Sequence, residues 1–328
     1  MSVRLTLALQ TGGLTIPGSG TIRAVLPTPG ADMAALPIDR VQVVQPFRPH
    51  FDHFAQSGYE TAADTDVPCA AAILFLPRAK AQARALIHEI CANCTGPVVI
   101  DGARTDGIES VLRDIRKRVP VLGVLAKAHG KLFWFHADAR AFADWAAPAE
   151  TVVEGFHTVP GVFSADGIDP GSRLLREALG GYVGRHVTDL GAGWGYLSAG
   201  LLADVRLERL DLVEADHRAL DCARRNVSDP RVRFHWADAT AWRPDKAPDA
   251  VVMNPPFHDG RAADPGLGRG FIDAAARMLA PGGALWLVAN RHLPYETALT
   301  SRFAECREVA GDGRFKILRA ARPSRPRR

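Results

Sequence analysis

The sequence predicts an α/β protein made of two tandem units, each an open parallel sheet covered on both faces by helices. Three observations predict it. Short apolar runs alternate with stretches of helical length across residues 185–290, the rhythm of strand–helix–strand units. A weaker copy of that rhythm occupies residues 70–136. The chain has 328 residues, long for one such core, and an Ala- and Trp-rich connector, FADWAAPAETVVEG, divides it near residue 150. The expected units are therefore 1–150 and 151–328.

In the second unit, Arg185–Leu190 reads as a strand entering a glycine turn, followed by a helix over 196–203. The next strand is 207–214 and the next helix 219–226; Val232–Trp236 and Ala250–Met253 are short strands. A helix over 271–279 is closed by Pro281-Gly282-Gly283, and 284–289 is a buried strand. Around Gly311-Asp312-Gly313, residues 306–310 and 314–318 predict a terminal hairpin. In the first unit the strands are 70–76, 98–101, 121–126 and 132–136, with helices over 82–90 and 108–116. AAAILFLPRAK stands in the first half where PDAVVMNPPFHD stands in the second, which suggests an internal duplication.

Composition excludes several classes. With 47% hydrophobic and 23% charged residues the chain is globular, not disordered. A net charge of +4 tolerates a polyanionic partner without demanding one. No apolar run approaches the roughly 18 residues of a membrane span, and no charged flank precedes an apolar N-terminal core, so a cytoplasmic protein is expected. The five cysteines (69, 91, 94, 222, 306) are scattered. Cys91-Ala-Asn-Cys94 lacks a second pair at zinc spacing, and a helical pair of buried thiols is expected in place of a metal.

The first chemical constellation is Asp189-Leu-Gly191-Ala-Gly193-Trp-Gly195, between a strand and a helix. Glycines are needed where backbone turns tightly or meets a ligand at close range. Such a loop is shared by several nucleotide binders, but its neighbours narrow it. Glu214 ends the next strand, where it can accept both ribose hydroxyls of an adenosine group, and Asp238 follows the strand after, in reach of an adenine amine. A helix cap is the plainer reading of Asp238. Dinucleotide enzymes use G-x-G-x-x-G; here the third glycine comes one residue sooner. An acid before the loop suits the cationic methionine end of S-adenosylmethionine better than a pyrophosphate.

The second constellation is Asn254-Pro255-Pro256-Phe257, at the end of the strand 250–253. In an open α/β sheet, ligands bind beyond the carboxyl ends of the strands, so both constellations face one crevice. A planar amino group on a ring is a poor nucleophile because its lone pair is delocalised. The Asn254 side-chain oxygen and the Pro255 carbonyl can accept its two N–H hydrogens and favour a more tetrahedral nitrogen. The prolines fix φ and hold the acceptors in place, and Phe257 offers a surface for stacking. A stiff turn with a core Phe is the plainer alternative. His258 is given a contact with base or backbone, and Asp259-Gly260 turn chemistry.

With these residues assembled, the chain resembles the RsmC/RlmG family of ribosomal RNA guanine-N2 methyltransferases. PGVFSADGIDPGSRLL (160–175), NPPFHDG (254–260), VANRHLPY (288–295) and GRFK (313–316) carry the resemblance, in order. It implies two tandem Rossmann-like class I methyltransferase domains, the N-terminal one degenerate and serving RNA positioning or folding support, the C-terminal one catalytic. The first half fits, having no D-x-G-x-G-x-G loop and Leu76-Pro77-Arg78 in place of the catalytic motif. The resemblance implies that Asp189, Gly191, Gly193, Glu214, Asp238 and Asn254 hold S-adenosylmethionine. Asn254, Pro255 and Phe257 would hold the guanine, and Phe163, Asp166 and Ser172 would line the cleft.

RNA contacts are expected from His258, Arg261, Arg269, Arg291-His292, the RAARPSRPRR tail, and Arg78, Lys80, Arg84 and 113–118 in the first half. The expected partner is ribosomal RNA of the small subunit, bound by a monomer, with no metal and no membrane. Rival readings are an N-methyltransferase of a DNA base or a protein glutamine amide, a nicotinamide-dependent oxidoreductase, and a non-catalytic RNA-binding protein.

Overall fold

The computed structural model describes residues 3–148, 150–256, 258–259, 262–263 and 265–324. The chain divides into two compact units, Met1–Ala149 and Glu150–Arg328.

In the first unit the strands are β1 (Ile22–Val25), β2 (Val41–Val44), β3 (Glu60–Ala62), β4 (Ala71–Phe75), β5 (Pro97–Ala103), β6 (Gly123–Lys127) and β7 (Gly130–His136). The helices are α1 (Arg4–Gln10), α2 (Arg48–Gln56), α3 (Lys80–Asn93) and α4 (Ile108–Arg116). The strands form one sheet in the order β3-β2-β1-β4-β5-β7-β6. Successive residues of a strand point to opposite faces, and both faces are apolar. Ala72, Leu74, Val98 and Ile100 pack into one core, while Ile73 and Val99 pack into the other.

In the second unit the strands are β8 (Thr151–Val153), β9 (Phe156–Thr158), β10 (His186–Leu190), β11 (Arg209–Glu214), β12 (Val232–Trp236), β13 (Ala250–Met253), β14 (His258–Asp259), β15 (Ala262–Ala263), β16 (Ala284–Asn290), β17 (Phe303–Gly311) and β18 (Phe315–Pro323). The helices are α5 (Pro170–Leu179), α6 (Tyr196–Leu201), α7 (His217–Asn226), α8 (Pro265–Met278) and α9 (Tyr295–Arg302). The main sheet runs β12-β11-β10-β13-β16-β18-β17, the same permutation as in the first unit. β10 pairs in parallel with both β11 and β13, so the strand order reverses direction between β10 and β13.

Four features depart from the sequence expectation. Each sheet is mixed: β7 lies antiparallel to β5 and β6, and β18 antiparallel to β16 and β17. The expected terminal hairpin therefore closes the sheet edge, an arrangement that local periodicity does not encode. Helix α8 begins at Pro265, not near 271, because Gly266, Gly268 and Gly270 lower the helix propensity of its first turns. The first 62 residues carry α1, α2 and three strands of three or four residues each, all unassigned from the sequence. Cys91 lies in α3, but Cys94 caps that helix and bridges to Cys69; all three are buried free thiols. Among the described residues, no helix is long and apolar enough to cross a membrane.

Candidate active site

Ligands of open α/β sheets bind beyond the carboxyl ends of the strands at the point where strand order reverses. In the second unit that point lies between β10 and β13. Asp189 pairs with Val252 in the parallel ladder, so the next residues bring the chain after Leu190 beside the chain after Met253. The glycine loop and Asn254 are thus neighbours because of the register, although 63 positions separate Gly191 from Asn254. Residues of the two loops share one cleft with Phe163, Asp169, Ser172, Tyr196 and Leu197.

The glycine loop turns through left-handed backbone at Gly191, Gly193 and Gly195, with φ of +78°, +56° and +90°. A Cβ on Gly195 would stand 2.8 Å from Val227 Cγ2, so that glycine seats the loop against α7. A Cβ on Gly193 would meet nothing within 4 Å. Gly193 is therefore set by its φ, and its open side is available to a ligand. Asn226 latches the far end of the loop, donating from Nδ2 to the Trp194 carbonyl at 2.8 Å. The Trp194 indole in turn donates to the Phe163 carbonyl at 2.9 Å, holding the 159–169 segment over the loop, with the Phe163 ring 62% exposed.

Acidic residues set the electrostatics. Asp189 is fully buried; its Oδ2 accepts from Ser198 Oγ at 2.7 Å, while Oδ1 has no hydrogen-bond partner. Burial pushes its pKa up to about 7, Ser198 opposes the shift, and the nearby Glu214 charge adds to it. A buried carboxylate oxygen without a partner is costly; Asp189 carries one beneath the glycine loop, and a cationic group brought against that loop would offset its charge. Glu214 ends β11 half-buried; Oε2 accepts from Gly193 N–H at 2.8 Å and Oε1 from Asp216 N–H at 2.8 Å. Burial raises its pKa as well, against those two backbone bonds. A carboxylate has about four acceptor positions, so capacity remains for a ligand hydroxyl. This set of groups fits S-adenosylmethionine: Asp189 beneath the loop for the cationic methionine end, Glu214 for the ribose, open backbone at Gly193 between them.

Asp238 follows β12. Its Oδ1 accepts from Thr240 N–H at 2.8 Å and from the Thr240 hydroxyl at 2.7 Å, so it caps the turn that leads to Trp242. Only the remaining oxygen is left for an adenine amine.

Asn254 emerges from β13 with its amide nitrogen turned inward: Nδ2 donates to Asp169 Oδ2 at 2.9 Å and to Ser172 Oγ at 2.8 Å. Its Oδ1 and the carbonyl of the buried Pro255 accept no hydrogen bond among the described residues. Among the described residues, two oxygen acceptors therefore stand without donors at the carboxyl end of β13, beside the glycine loop. Phe257 and Arg261 lie outside the described residues. His258 is described in its backbone, which pairs with Ala263 in the β14–β15 hairpin. Asp169 was missed by the sequence reading, although Asp-Pro-Gly-Ser at 169–172 is a helix start with its N-cap, its N1 proline and Ser172 at N3.

Several of the basic residues proposed for RNA already hold a carboxylate. Arg291 donates to Glu308 Oε1 at 2.9 Å and to the Asp312 carbonyl. Arg84 and Lys80 share Asp114, Arg78 pairs with Asp106, and Arg118 pairs with Asp144. Arg84 and Arg118 also stack on Trp145.

Comparison with known proteins gives the family. The family model "Methyltransferase small domain" matches residues 154–319. The chain belongs to that family. This methyltransferase is 31% identical over 281 residues to ribosomal RNA small subunit methyltransferase C of Chromohalobacter salexigens, covering 81% of this chain and 82% of that protein. It is 35% identical over 167 residues to ribosomal RNA large subunit methyltransferase G of Shewanella amazonensis, covering 49% of this chain and 44% of that protein. In the latter alignment the chain spans less than half of its relative. A solved structure of a T. thermophilus 16S rRNA N2-guanine methyltransferase (RsmC), in complex with AdoMet and guanosine, superposes with a TM-score of 0.76. That structure is 26% identical in sequence, and the match covers 94% of this chain and 90% of that one. The RsmC/RlmG relationship and the class I methyltransferase fold expected from the motifs are the ones that these relatives display.

Proposed function

We propose that the chain is an S-adenosylmethionine-dependent ribosomal RNA methyltransferase that transfers a methyl group to the exocyclic N2 amine of a guanine. The carrying observation is a pair of acceptors, Asn254 Oδ1 and the Pro255 carbonyl, that take no hydrogen bond among the described residues and stand beside the glycine loop. The cofactor supplies an electrophilic methyl group on a sulfonium. Asp189, Gly191, Gly193 and Glu214 hold it, with Asp238 within the same strand-end crevice.

The two acceptors take the N–H hydrogens of the guanine amine. This draws its nitrogen toward a tetrahedral geometry and frees the lone pair from the ring. Asn254 and Pro255 need no reorganisation during transfer, because φ of both prolines is preset and the Asn254 amide is tethered through its nitrogen. Positioning and electrostatics carry the rate, and the alkylated amine sheds its proton afterwards. Phe257 supplies the stacking surface for the base. His258, Arg261 and Arg291 contact the RNA, with Arg291 exchanging its Glu308 contact for phosphate.

The small subunit is the favoured source of the target guanine, since relatives of that name align along most of this chain. The first unit positions RNA or supports folding. The enzyme acts as a cytoplasmic monomer where ribosomes are assembled. The test is to map N2-methylguanosine in ribosomal RNA from cells with and without the gene, then to restore it with purified protein on isolated subunits. Loss and restoration at one guanine is expected; no change at any guanine removes the RNA assignment. Methylation of 23S in place of 16S RNA would move the target to the large subunit.

A further inference from the structure

We propose that Asp169 and Ser172 are positioning residues for methyl transfer: together they lock the Asn254 side-chain amide with its nitrogen inward and its oxygen toward the acceptor amine. This rests on the methyl-transfer reading of the site.

An asparagine amide is nearly symmetric in shape, and a half-turn about its last bond exchanges an acceptor for a donor. With the donor outward, the site would oppose the N–H groups of an amine instead of accepting from them. The backbone of the NPP turn does not settle this choice, because the prolines fix main-chain angles and leave the terminal side-chain torsion free.

Asp169 settles it through charge. An ionised carboxylate accepts hydrogen bonds and donates none. With Oδ2 of Asp169 2.9 Å from the amide, only the nitrogen of Asn254 can face it; the oxygen would meet a negative charge at contact distance. Ser172 Oγ accepts the second amide hydrogen at 2.8 Å, so both hydrogens are occupied and rotation breaks two bonds at once. The bond to the carboxylate is charge-assisted, and it polarises the amide so that Oδ1 becomes a stronger acceptor. That polarisation acts where the N–H hydrogens grow more acidic as the nitrogen gives its lone pair to the methyl group.

The clamp is anchored far from the turn it serves. Asp169 and Ser172 lie 85 and 82 positions before Asn254 in sequence. Asp169 caps α5, and its Oδ2 also accepts from Ser172 N–H at 2.7 Å. A Cβ on Gly171 would stand 3.2 Å from both Val288 and Phe315, so the helix start is seated tightly on β16 and β18. Capping alone accounts for the bond from Ser172 N–H. It does not account for Asp169 Oδ2 and Ser172 Oγ converging on the one amide nitrogen.

The test is a double-mutant cycle on the full chain. Asn caps helices about as well as Asp, so Asp169→Asn keeps α5 while removing the charge and the acceptor-only character. We expect kcat at saturating cofactor and RNA to fall about ten- to a hundred-fold, with cofactor Kd changed less than about threefold and an unchanged melting temperature. Ser172→Ala should cost a smaller factor of about three to ten. In an Asn254→Ala background, Asp169→Asn should cost nothing further, because it acts only through Asn254. Full kcat in Asp169→Asn, a loss confined to cofactor Kd, or an undiminished loss in the Asn254→Ala background overturns the proposal. Absence of methyl transfer by the parent enzyme would instead remove the functional reading. The Asn254 side-chain NH2 resonances then decide the clamp: downfield and slowly rotating signals that collapse in Asp169→Asn support it, and signals insensitive to that change overturn it.

Discussion

The ends of β1 and β10 occupy equivalent places in two sheets of the same strand order, yet the chain leaves them differently. Gly191 N–H donates to Val213 O at 2.9 Å, and Leu26 N–H donates to Val44 O at 2.9 Å, so Leu26 stands where Gly191 stands. Both are left-handed, with φ of +56° at Leu26 and +78° at Gly191. The backbone path is thus retained, but in the first unit it carries a side chain and continues into Pro27-Thr28-Pro29. One residue beyond Val44 is Gln45, in the place of Glu214. Gln45 is 3% exposed, donates to the Pro27 carbonyl at 2.7 Å and accepts from Phe47 N–H at 3.0 Å. An amide can close its own loop in this way because it has both a donor and an acceptor. A carboxylate cannot donate, so Glu214 takes backbone N–H groups and leaves acceptor capacity open. In the β1–β4 ladder Val25 pairs with Leu74, so Phe75-Leu76-Pro77 answers to Asn254-Pro255-Pro256. The two units teach that one topology builds the crevice, while a few residues at the strand ends decide whether it holds a ligand or fills itself.

The sharpest way to break the comparison is Asn254→Ala, which gives the second unit the apolar strand end of the first. Methyl transfer should fall about a thousandfold, the scale of losing a preorganised polar contact, with cofactor binding retained in titration calorimetry. Next is the Glu214/Gln45 pair. Glu214→Ala should weaken cofactor binding about ten- to a hundred-fold, since each hydrogen bond to a charged group contributes ~1.5–3 kcal/mol. Gln45→Ala should leave cofactor affinity alone and cost ~1–3 kcal/mol of stability in denaturant unfolding, by orphaning the Pro27 carbonyl. Equal effects of the two substitutions on cofactor binding would contradict the assignment of the site to the second unit.

Smaller effects separate the glycines. Gly195→Ala combines φ of +90° with a Cβ 2.8 Å from Val227, and should destabilise the second unit by ~2–3 kcal/mol. Gly193→Ala has open space, so only backbone strain of ~1 kcal/mol applies, and its loss should be read mainly in cofactor affinity.

The last prediction is a pH dependence. Burial raises the Asp189 pKa from 3.8 to about 7, so the folded protein favours the protonated acid. A raised carboxyl pKa means the native state binds more protons than the unfolded one, so this group's contribution is present at low pH and fades as pH rises from about 4 to about 7. A cationic ligand prefers the ionised form and reverses the balance. Cofactor affinity should rise as pH climbs toward about 7, level off above it, and be accompanied by proton release in buffers of different ionisation enthalpy. Asp189→Asn should flatten that profile.

Much of this was legible in the chain. The strands Val232–Trp236 and Ala250–Met253 and helix α4 fall where local pattern put them, because buried strands are apolar runs and amphipathic helices show their period. The glycine loop, Glu214 and the NPP turn were visible because each is contiguous or ends a strand, and residue type alone limits their chemistry. The short strands β1 to β3 were not visible, since three or four residues carry too little pattern to outweigh their turns.

The amino-acid sequence by itself determined the α/β alternation, the two units, and the kinds of group each strand end presents. Only the tertiary structure decided which of those groups meet. Parallel register brings Gly191 beside Asn254, the antiparallel edge hairpin spends Arg291 on Glu308, and Asp169 reaches Asn254 across 85 residues. Local propensity reads neighbours along the chain, and a hydrogen bond between distant residues exists only once sheet register and helix packing have placed both partners.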